Sequence, residues 1–261
     1  MKIEKLKEYI GNLSREGILI AFSAGVDSTL ILKIASLVKS GEVIACTFTS
    51  FLSPKEDIEL ARKIAKEYSI ELIEIELDQR KDPNIMNNTE DRCYHCKRMI
   101  FSKMVEIAKE KNLQYILDGT NLDDLKIYRP GLRALQELHI ISPLAECEIS
   151  KKEVRELALD LGISVAKKPS TPCLATRFPY NRRLPVEKFE MVEAGEKFLK
   201  DLGFNNVRIR VYDDLTRIEI PEKNFKSFIR LRKDIVTELK KLGFKYINLD
   251  MEGFRSGSMD E

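Results

Sequence analysis

The chain has little net charge and no long apolar run. Its 44 basic and 42 acidic residues leave a net charge of +2, so it lacks the basic field that dominates binding to a phosphate backbone. No window approaches the roughly 18 apolar residues of a membrane span, and the N-terminus carries charges throughout. We therefore expect a soluble cytoplasmic protein that has no membrane or nucleic acid partner.

Cysteine is also scarce. The five cysteines are an odd number, and their spacing is unlike that of a secreted disulfide scaffold. Reduced thiols with metal-binding or chemical roles are therefore expected. Cys46, inside an apolar strand pattern, and Cys147 are interpreted as buried small hydrophobic residues.

The order of apolar patterns predicts the fold class. Over the first two thirds of the chain, β-rich runs alternate with helical patterns, which is typical of βαβ units. We predict an α/β fold: an open parallel sheet with helices on both faces, and ligands at the carboxyl ends of the strands. The predicted strands are Gly17–Ser23, Glu42–Phe48, Glu71–Leu77, Tyr115–Gly119 and His139–Leu144.

Helix signals fill the intervals between these strands. Ser53 with Glu56, and Ser150 with Glu153, have the spacing of capping boxes, and Pro54 is predicted at the first helical position. The predicted helices are Ser28–Val38, Pro54–Tyr68, Arg92–Glu110, one through Arg133–Glu137, and one from Ser150 to near Gly162.

The composition changes after residue 165. Residues 166–183 are rich in proline and basic residues without a clear period, and we predict an active-site loop between domains 1–165 and 184–261. The last segment predicts a small α+β substrate domain. Its predicted elements are a helix at Val186–Leu202, strands at Val207–Tyr212 and Arg217–Ile220, a helix at Glu222–Leu242 and a strand at Tyr246–Leu249.

A short polar loop follows the first predicted strand. Its sequence is Ser23-Ala24-Gly25-Val26-Asp27-Ser28, at a strand-to-helix junction where backbone N–H groups favour an anion. Small residues let the backbone approach a phosphate, and Ser23 and Ser28 add hydroxyl donors. There is no Gly-Lys-Ser/Thr, so this is not a Walker loop. The pattern alone leaves phosphate binding and an ordinary turn as equal alternatives.

Three cysteines form the second candidate site. Cys93 and Cys96 make a C-x-x-C at the start of a predicted helix, and Cys173 lies in the predicted interdomain loop. Three thiolates can hold a metal and leave one coordination position open. The spacing leaves three alternatives: a structural zinc with His95 or another fourth ligand, an iron–sulfur cluster, or a redox dithiol or inert thiols.

Several segments resemble one known family. The Ser23–Ser28 loop is similar to the Ser-Gly-Gly-x-Asp-Ser loop of the PP-loop ATP pyrophosphatases, with Ala24 in place of a glycine. Four further segments resemble the LarE-type sulfur transferases of that superfamily, and the resemblance covers nearly the whole chain. These segments are Asp91–Lys97, Asp118–Gly131, Lys168–Arg177 and Gly253–Ser258.

This resemblance implies an ATP-dependent enzyme. Residues Ser23, Gly25, Val26 and Ser28 would hold the pyrophosphate end of ATP, and Asp27 would also help to hold Mg²⁺. The implied enzyme adenylylates a carboxylate of a pyridinium dicarboxylate mononucleotide and then inserts sulfur, in nickel-pincer cofactor biosynthesis. Adenylylation is chemically apt because AMP is a good leaving group and a free carboxylate is a poor electrophile.

The sulfur source differs between two branches of that family. In one branch a single cysteine, in the position of Cys173, gives up its own sulfur. The other branch has three cysteines that hold a 4Fe-4S cluster, whose fourth iron can carry an extra sulfide. Because Cys93 and Cys96 are present, the chain resembles the second branch, with sulfide or another sulfur donor as co-substrate.

Basic residues in the C-terminal part complete the candidate set. Arg208 and Arg210 alternate along a predicted strand, so both would project from one face and could clamp a substrate phosphate. A solvated basic face is the equal alternative. Arg177 and Glu196 are candidate catalytic residues by position. Arg255 and Ser256 are candidates for subunit contacts, in a homo-oligomer, or for nucleotide binding.

Two other functions fit parts of the pattern. A tRNA thiolase of the same superfamily also combines adenylylation with three cysteines, but the near-neutral charge offers little to grip tRNA. A non-catalytic, zinc-stabilised nucleotide-binding module is the other alternative.

Overall fold

The computed structural model describes residues 2–127, 129–169 and 171–255. The chain divides into two compact units, which are described separately. Unit 1 comprises residues 1–85 and 91–171, and unit 2 comprises residues 86–90 and 172–261. Within the family-like segments, Tyr128, Ser170 and residues 256–258, which include the candidate Ser256, lie outside the described residues.

Unit 1 is built on a four-stranded parallel sheet. The strands are β1 (Ile18–Ala21), β2 (Val43–Thr49), β3 (Glu71–Glu76) and β4 (Tyr115–Leu117). Their order is β3-β2-β1-β4, so the strand order reverses between β1 and β4. Ligands of open α/β sheets bind at such a reversal, beyond the carboxyl ends of the strands.

Helices cover both faces of this sheet, as predicted. The helices are α1 (Lys2–Ser14), α2 (Val26–Val38), α3 (Lys55–Glu67), the short α4 (Pro83–Met86), α5 (Arg92–Glu110), α6 (Pro130–Glu137), α7 (Pro143–Glu146) and α8 (Lys151–Asp160). Side chains alternate between faces along a strand. Ile18 and Ile20 therefore pack in one apolar cluster with residues of α1, α2 and α8, whereas Leu19 packs in another with residues of α5 and α6.

Two local predictions for unit 1 are wrong. The predicted fifth strand is reduced to a single parallel bridge between Ile141 and Leu117, because Pro143 opens α7 two residues later. The predicted Ser53 capping box is absent, since Pro54 is the N-cap of α3. The Ser53 hydroxyl instead donates to the Phe48 carbonyl oxygen at 3.2 Å.

Unit 2 is a small α+β unit. Its sheet has the order β5-β6-β7, with β5 (Arg208–Tyr212) antiparallel to β6 (Leu215–Glu219) and β7 (Tyr246–Leu249) parallel to β6. The helices are α9 (Phe189–Asp201), α10 (Phe225–Arg230) and α11 (Arg232–Lys241). The single helix predicted at Glu222–Leu242 is therefore interrupted, with Leu231 between α10 and α11.

A glycine permits the close packing of α9 in unit 2. A Cβ on Gly195 would lie 2.8 Å from Ile209 Cδ1 and 2.9 Å from Phe244 Cε2. A larger residue would therefore push α9 away from β5. In neither unit is any described helix both long and apolar enough to cross a membrane.

The second capping box is confirmed and generates a stability prediction. The Ser150 side chain caps α8 by accepting from the Glu153 N–H. In return, Glu153 Oε2 accepts from the Ser150 N–H at 2.8 Å. Lys2 and then Ser150 lower the pKa of Glu153 to about 2 from an ordinary value of 4.5. Because the folded pKa is depressed, the stabilisation is present above about pH 4.5 and disappears as the pH falls through about 2.

We therefore expect Glu153→Gln to lower the free energy of unfolding at pH 6 by less than about 1 kcal/mol, because the carboxylate is solvent-screened. The glutamine retains the capping geometry, so the difference reports the charge. Urea unfolding from pH 6 to pH 2 should show the wild-type advantage shrinking. Ser150→Ala, which removes the cap hydroxyl, should remain destabilised at both ends, and a Glu153→Gln effect independent of pH would contradict the assignment.

Candidate functional site

The Ser23–Ser28 loop joins β1 to α2 at the carboxyl edge of the sheet in unit 1. Its two serines hold it closed. Ser28 Oγ donates to the Gly25 carbonyl oxygen at 3.2 Å and accepts from the Ser23 N–H at 3.3 Å. Gly25 is the N-cap of α2 and provides no capping side chain. The N-terminus of the 13-residue helix α2, which carries partial positive charge, therefore lies at the loop.

Ala24 occupies the conformation for which the family pattern has glycine. Its φ is 53°, in the left-handed region, and its side chain is buried in the core cluster. The left-handed conformation costs an alanine about 1–2 kcal/mol, and burial of a methyl group offsets about 0.8 kcal/mol of this. The loop therefore accommodates the alanine at a modest cost.

Gly119 and Gly25, the two glycines at the loop, differ in the room that each leaves for a side chain. A Cβ on Gly119, just beyond β4, would lie 3.2 Å from the Ser28 backbone nitrogen and 3.3 Å from Asp27 Cβ. Gly119 therefore lets the end of β4 lie against the loop. Gly25 has a φ of −80°, and its added Cβ would meet Ser23 Oγ at 3.4 Å, which is an ordinary contact. Among the residues that the structure describes, none requires glycine at position 25.

Asp27, the predicted Mg²⁺ ligand, is held by two residues that sequence reasoning did not assign. Asn121 Nδ2 donates to Asp27 Oδ1 at 3.2 Å, and the Lys151 ammonium pairs with Asp27 Oδ2. The Asn121 amide is fixed because its Oδ1 accepts from the Asp123 N–H at 3.0 Å. Lys151 is fixed in turn, because its backbone N–H donates to Asp123 Oδ2 at 2.8 Å. The Asp27 carboxylate is thus held in one orientation by Asn121 and Lys151.

A second lysine, Lys168, also lies against the loop. Lys168 Nζ lies 3.4 Å from the Ala24 carbonyl oxygen and 2.6 Å from Asp57 Oδ1. Lys168 and Lys151 thus both place ammonium groups at the loop. Lys168 lies in a family-like segment, so the sequence did contain an indication that this residue has a functional role. Lys151 had only its position at the start of α8.

The C-x-x-C lies in the first turn of α5. Cys93 is exposed and Cys96 is partly buried. The guanidinium of the buried Arg92 lies 3.5 Å from Cys93 Sγ, and Gln79 Nε2 lies 3.0 Å from Cys96 Sγ. Each thiol therefore has a nitrogen donor beside it, in a turn at the positive end of a helix.

The third cysteine belongs to unit 2. Cys173 is partly buried and is the N-cap of a 3₁₀ helix at Leu174–Arg177. Among the described residues, no group of three His, Cys, Asp or Glu side chains forms a ready metal cage. Within unit 1, the donor chemistry nevertheless fits a thiolate-bound centre, because Cys93 and Cys96 come from one helical turn and both thiols are at least partly accessible to solvent.

Unit 2 buries a cluster of charges that includes the predicted catalytic pair. Arg177 and Glu196 form a two-point ion pair, with N···O distances of 2.8 and 2.9 Å. Glu196 also accepts from the Ile209 N–H at 3.0 Å. Burial opposes ionisation of Glu196, but Arg177 outweighs it and holds the pKa of the carboxyl below its usual value. Both residues thus connect α9, β5 and the segment after Cys173.

Arg208 and Arg210 are both buried in this cluster. Arg210 binds Glu219 at two points, each 3.1 Å, and donates to the Thr176 carbonyl oxygen. Burial, followed by repulsion from Arg177, lowers the pKa of Arg208 to about 10. In the described part of unit 2, these three arginines interact with two buried carboxylates. Guanidinium groups suit a phosphate ligand, and the phosphate role of Arg208 and Arg210 stays a prediction.

The remaining two cysteines generate a labelling prediction. Cys46 and Cys147 are buried, and burial raises the pKa of the Cys46 thiol to about 12 and that of Cys147 above its usual value. In chelator-treated native protein, we expect iodoacetamide to modify Cys93 first, then Cys96 and Cys173, because the thiolate is the nucleophile and access limits its reaction. Peptide mass spectrometry would read the order.

Cys46 and Cys147 should become modified only after unfolding in urea, which provides the internal control. Modification of either residue at the rate of Cys93 in native protein would contradict their placement in the core.

Sequence comparisons show which known proteins this chain is similar to. A family model described as NAD synthase matches residues 2–108. The pyridinium-3,5-bisthiocarboxylic acid mononucleotide synthase of Lactiplantibacillus plantarum is 37% identical over 243 residues, which cover 93% of this chain and 88% of that protein. An uncharacterized protein of Synechocystis sp. is 38% identical over 261 residues, covering 99% of this chain and 97% of that protein. The chain therefore belongs to the LarE-type family of pyridinium-3,5-bisthiocarboxylic acid mononucleotide synthases, within the PP-loop superfamily.

Proposed function

We propose that this protein is an ATP-dependent sulfur transferase that converts a carboxylate of a pyridinium dicarboxylate mononucleotide into a thiocarboxylate. The observation that carries the proposal is a link, within unit 1, between the cysteine turn and the phosphate loop. Lys97 follows Cys96, and its ammonium lies 3.7 Å from Asp118 Oδ2. Asp118 precedes Gly119, the residue packed against the loop. The cysteine turn and the Ser23–Ser28 loop thus lie at one edge of the sheet, which supports a proposed sulfur centre near a proposed ATP site.

The first step is activation of the carboxylate. A substrate carboxylate oxygen attacks the α-phosphorus of ATP, and pyrophosphate leaves. The Ser23–Ser28 loop, the N-terminus of α2 and the ammonium groups of Lys151 and Lys168 would bind the pyrophosphate as its charge develops. Mg²⁺ at Asp27 would supply further charge neutralisation on the phosphate oxygens.

The second step is sulfur insertion. A hydrosulfide-level sulfur attacks the carbonyl carbon of the acyl adenylate, the C–O bond to AMP breaks, and a thiocarboxylate, AMP and a proton result. Cys93, Cys96 and Cys173 would hold a 4Fe-4S cluster, and such a cluster would supply the sulfur as a bound sulfide. Direct transfer of the Cys173 sulfur is the alternative within the same family resemblance.

The buried charge cluster of unit 2 is assigned to the substrate. A mononucleotide carries a phosphate, and the guanidinium groups of Arg208 and Arg210 have the donor geometry that binds phosphate. Arg177 and Glu196 would orient the segment that carries Cys173, since Arg177 also donates to the Pro172 carbonyl oxygen at 3.1 Å. Their catalytic contribution would thus come from positioning the sulfur-bearing residue.

Anaerobic reconstitution with iron and sulfide tests the proposal. Incubation with ATP, sulfide and the pyridinium dicarboxylate mononucleotide should release AMP and pyrophosphate and form a thiocarboxylate. If tRNA alone stimulated pyrophosphate release, a tRNA thiolase would be the better assignment. A colourless protein with stoichiometric zinc and no ATP turnover would indicate the non-catalytic module.

Gly25→Ala tests whether the loop binds phosphate. Because the chain leaves room for a Cβ at Gly25, we expect the free energy of unfolding to change by less than about 1 kcal/mol. ATP affinity, measured by calorimetry, should fall at least about tenfold if the backbone must approach a phosphate.

Gly11→Ala in α1 is the matched control, since its Cβ would also make ordinary contacts, at 3.7 Å. It should bind ATP normally. Unchanged ATP affinity in stably folded Gly25→Ala would remove the loop from the binding site.

The cysteines provide the test of the sulfur step. Cys93→Ala should lose the iron–sulfur absorbance while retaining ATP affinity, because Cys93 is exposed and supports no core packing. After several turnovers of wild-type enzyme, mass spectrometry should find Cys173 intact. Dehydroalanine at position 173 would instead establish that this cysteine gives up its sulfur, and unfolding of Cys93→Ala would indicate a structural metal.

A further inference from the structure

Gln79 is a buried polar side chain beside the C-x-x-C and is absent from every motif identified in the sequence. It lies three residues beyond the end of β3, is only 3% exposed, and belongs to a 3₁₀ helix at Gln79–Lys81. Its Nε2 lies 3.0 Å from Cys96 Sγ. The end of β3 thus delivers an amide donor to the cysteine turn of α5.

The backbone of Gln79 is fixed independently of the cysteine. Asp78 caps the 3₁₀ helix by accepting from the Arg80 N–H at 3.3 Å. The Gln79 carbonyl oxygen accepts from the Asp82 N–H at 3.2 Å. The side chain therefore leaves a folded turn in a defined direction, which is the requirement for orienting a neighbouring ligand.

The other end of the Gln79 amide argues against a purely structural role. Within the described part of the chain, Gln79 Oε1 is buried and has no hydrogen-bond partner. A half-satisfied buried amide weakens a fold relative to an apolar side chain of similar volume. Packing alone would favour methionine at this position, so the N–H groups of the amide need another explanation.

We propose that Gln79 is a positioning residue of the sulfur centre, whose N–H···S hydrogen bond orients Cys96 and stabilises negative charge on its metal-bound sulfur. This assignment rests on the proposed function, because it requires the three-cysteine cluster. Hydrogen bonds to cluster sulfurs help to set reduction potentials. A donor favours the reduced cluster, which carries more negative charge, and therefore raises the midpoint potential.

Arg92 provides the corresponding nitrogen at the other cysteine of the motif. Its Nη2 lies 3.5 Å from Cys93 Sγ. Arg92 is, however, a cation inside a family-like segment, whereas Gln79 is neutral. Replacement of Gln79 thus removes a hydrogen bond without changing the net charge of the site.

The test compares full-length wild type, Gln79→Met and Gln79→Glu after anaerobic reconstitution. For Gln79→Met, we expect iron and sulfide contents equal to wild type, a lower midpoint potential in a redox titration, and an altered electron paramagnetic resonance spectrum of the reduced cluster. Gln79→Glu places a carboxylate beside the sulfur and should lower the potential further. The Tm of apo Gln79→Met should equal or exceed that of apo wild type.

Gln136→Met is the matched control, because it makes the same change on the exposed surface of α6. Its potential and spectrum should equal those of wild type. The assignment is overturned if Gln79→Met holds a full cluster with the wild-type potential and spectrum, or if its apo Tm falls with no change in the cluster.

The same experiments distinguish failure of the proposed function from failure of the Gln79 assignment. Wild type that holds a cluster but forms no thiocarboxylate with ATP and sulfide would overturn the sulfur transfer and leave the Gln79 comparison valid. Wild type that assembles no cluster at all would overturn the Gln79 assignment, while release of AMP and pyrophosphate on the same preparation would still report on carboxylate activation.

Discussion

The close approach of the end of β4 to the Ser23–Ser28 loop is the constraint on which the rest of unit 1 depends. At Gly119 an added Cβ would lie 3.2 Å from the Ser28 backbone nitrogen. Because the backbone passes so near, Asn121 can reach Asp27, and Asp123 can hold the first turn of α8 beside it. The reversal of strand order between β1 and β4 makes this approach available.

Ion pairs between lysine or arginine and carboxylate side chains occur at the candidate sites of both units. In unit 1, Lys151 and Lys168 lie at the phosphate loop while paired with Asp27 and Asp57. In unit 2, buried arginines bind Glu196 and Glu219 at two points each. Removing one partner of such a pair leaves an uncompensated charge, so these residues hold their neighbours in place as well as offering charge to a substrate.

The pairing also limits what each residue can contribute. The guanidinium of Arg210 is bidentate on Glu219, whereas burial, followed by repulsion from Arg177, lowers the pKa of Arg208 to about 10. The two arginines that sequence periodicity made equivalent are therefore unequal, because their carboxylate neighbours come from other elements.

Errors in the sequence prediction have identifiable physical causes. Helix α5 begins and ends at the predicted residues, Arg92 and Glu110, because its apolar period is long and regular. The predicted fifth strand failed because Pro143 fits the first turn of a helix. The Ser53 cap failed because α3 begins one residue later than predicted, with Pro54 as its N-cap. Short polar signals are ambiguous wherever a nearby backbone group competes for them.

The sequence by itself determined the α/β class, the phosphate-loop pattern, the C-x-x-C in its helix and the family, because these features depend on residue type at short spacing. Only the tertiary structure decided that Ala24 is left-handed, that Asn121 and Lys151 orient Asp27, and that Gln79 reaches Cys96. Asn121 and Lys151 lie 94 and 124 residues from Asp27 in the chain. Local pattern carries no record of such pairings, since they exist only where the carboxyl ends of parallel strands converge.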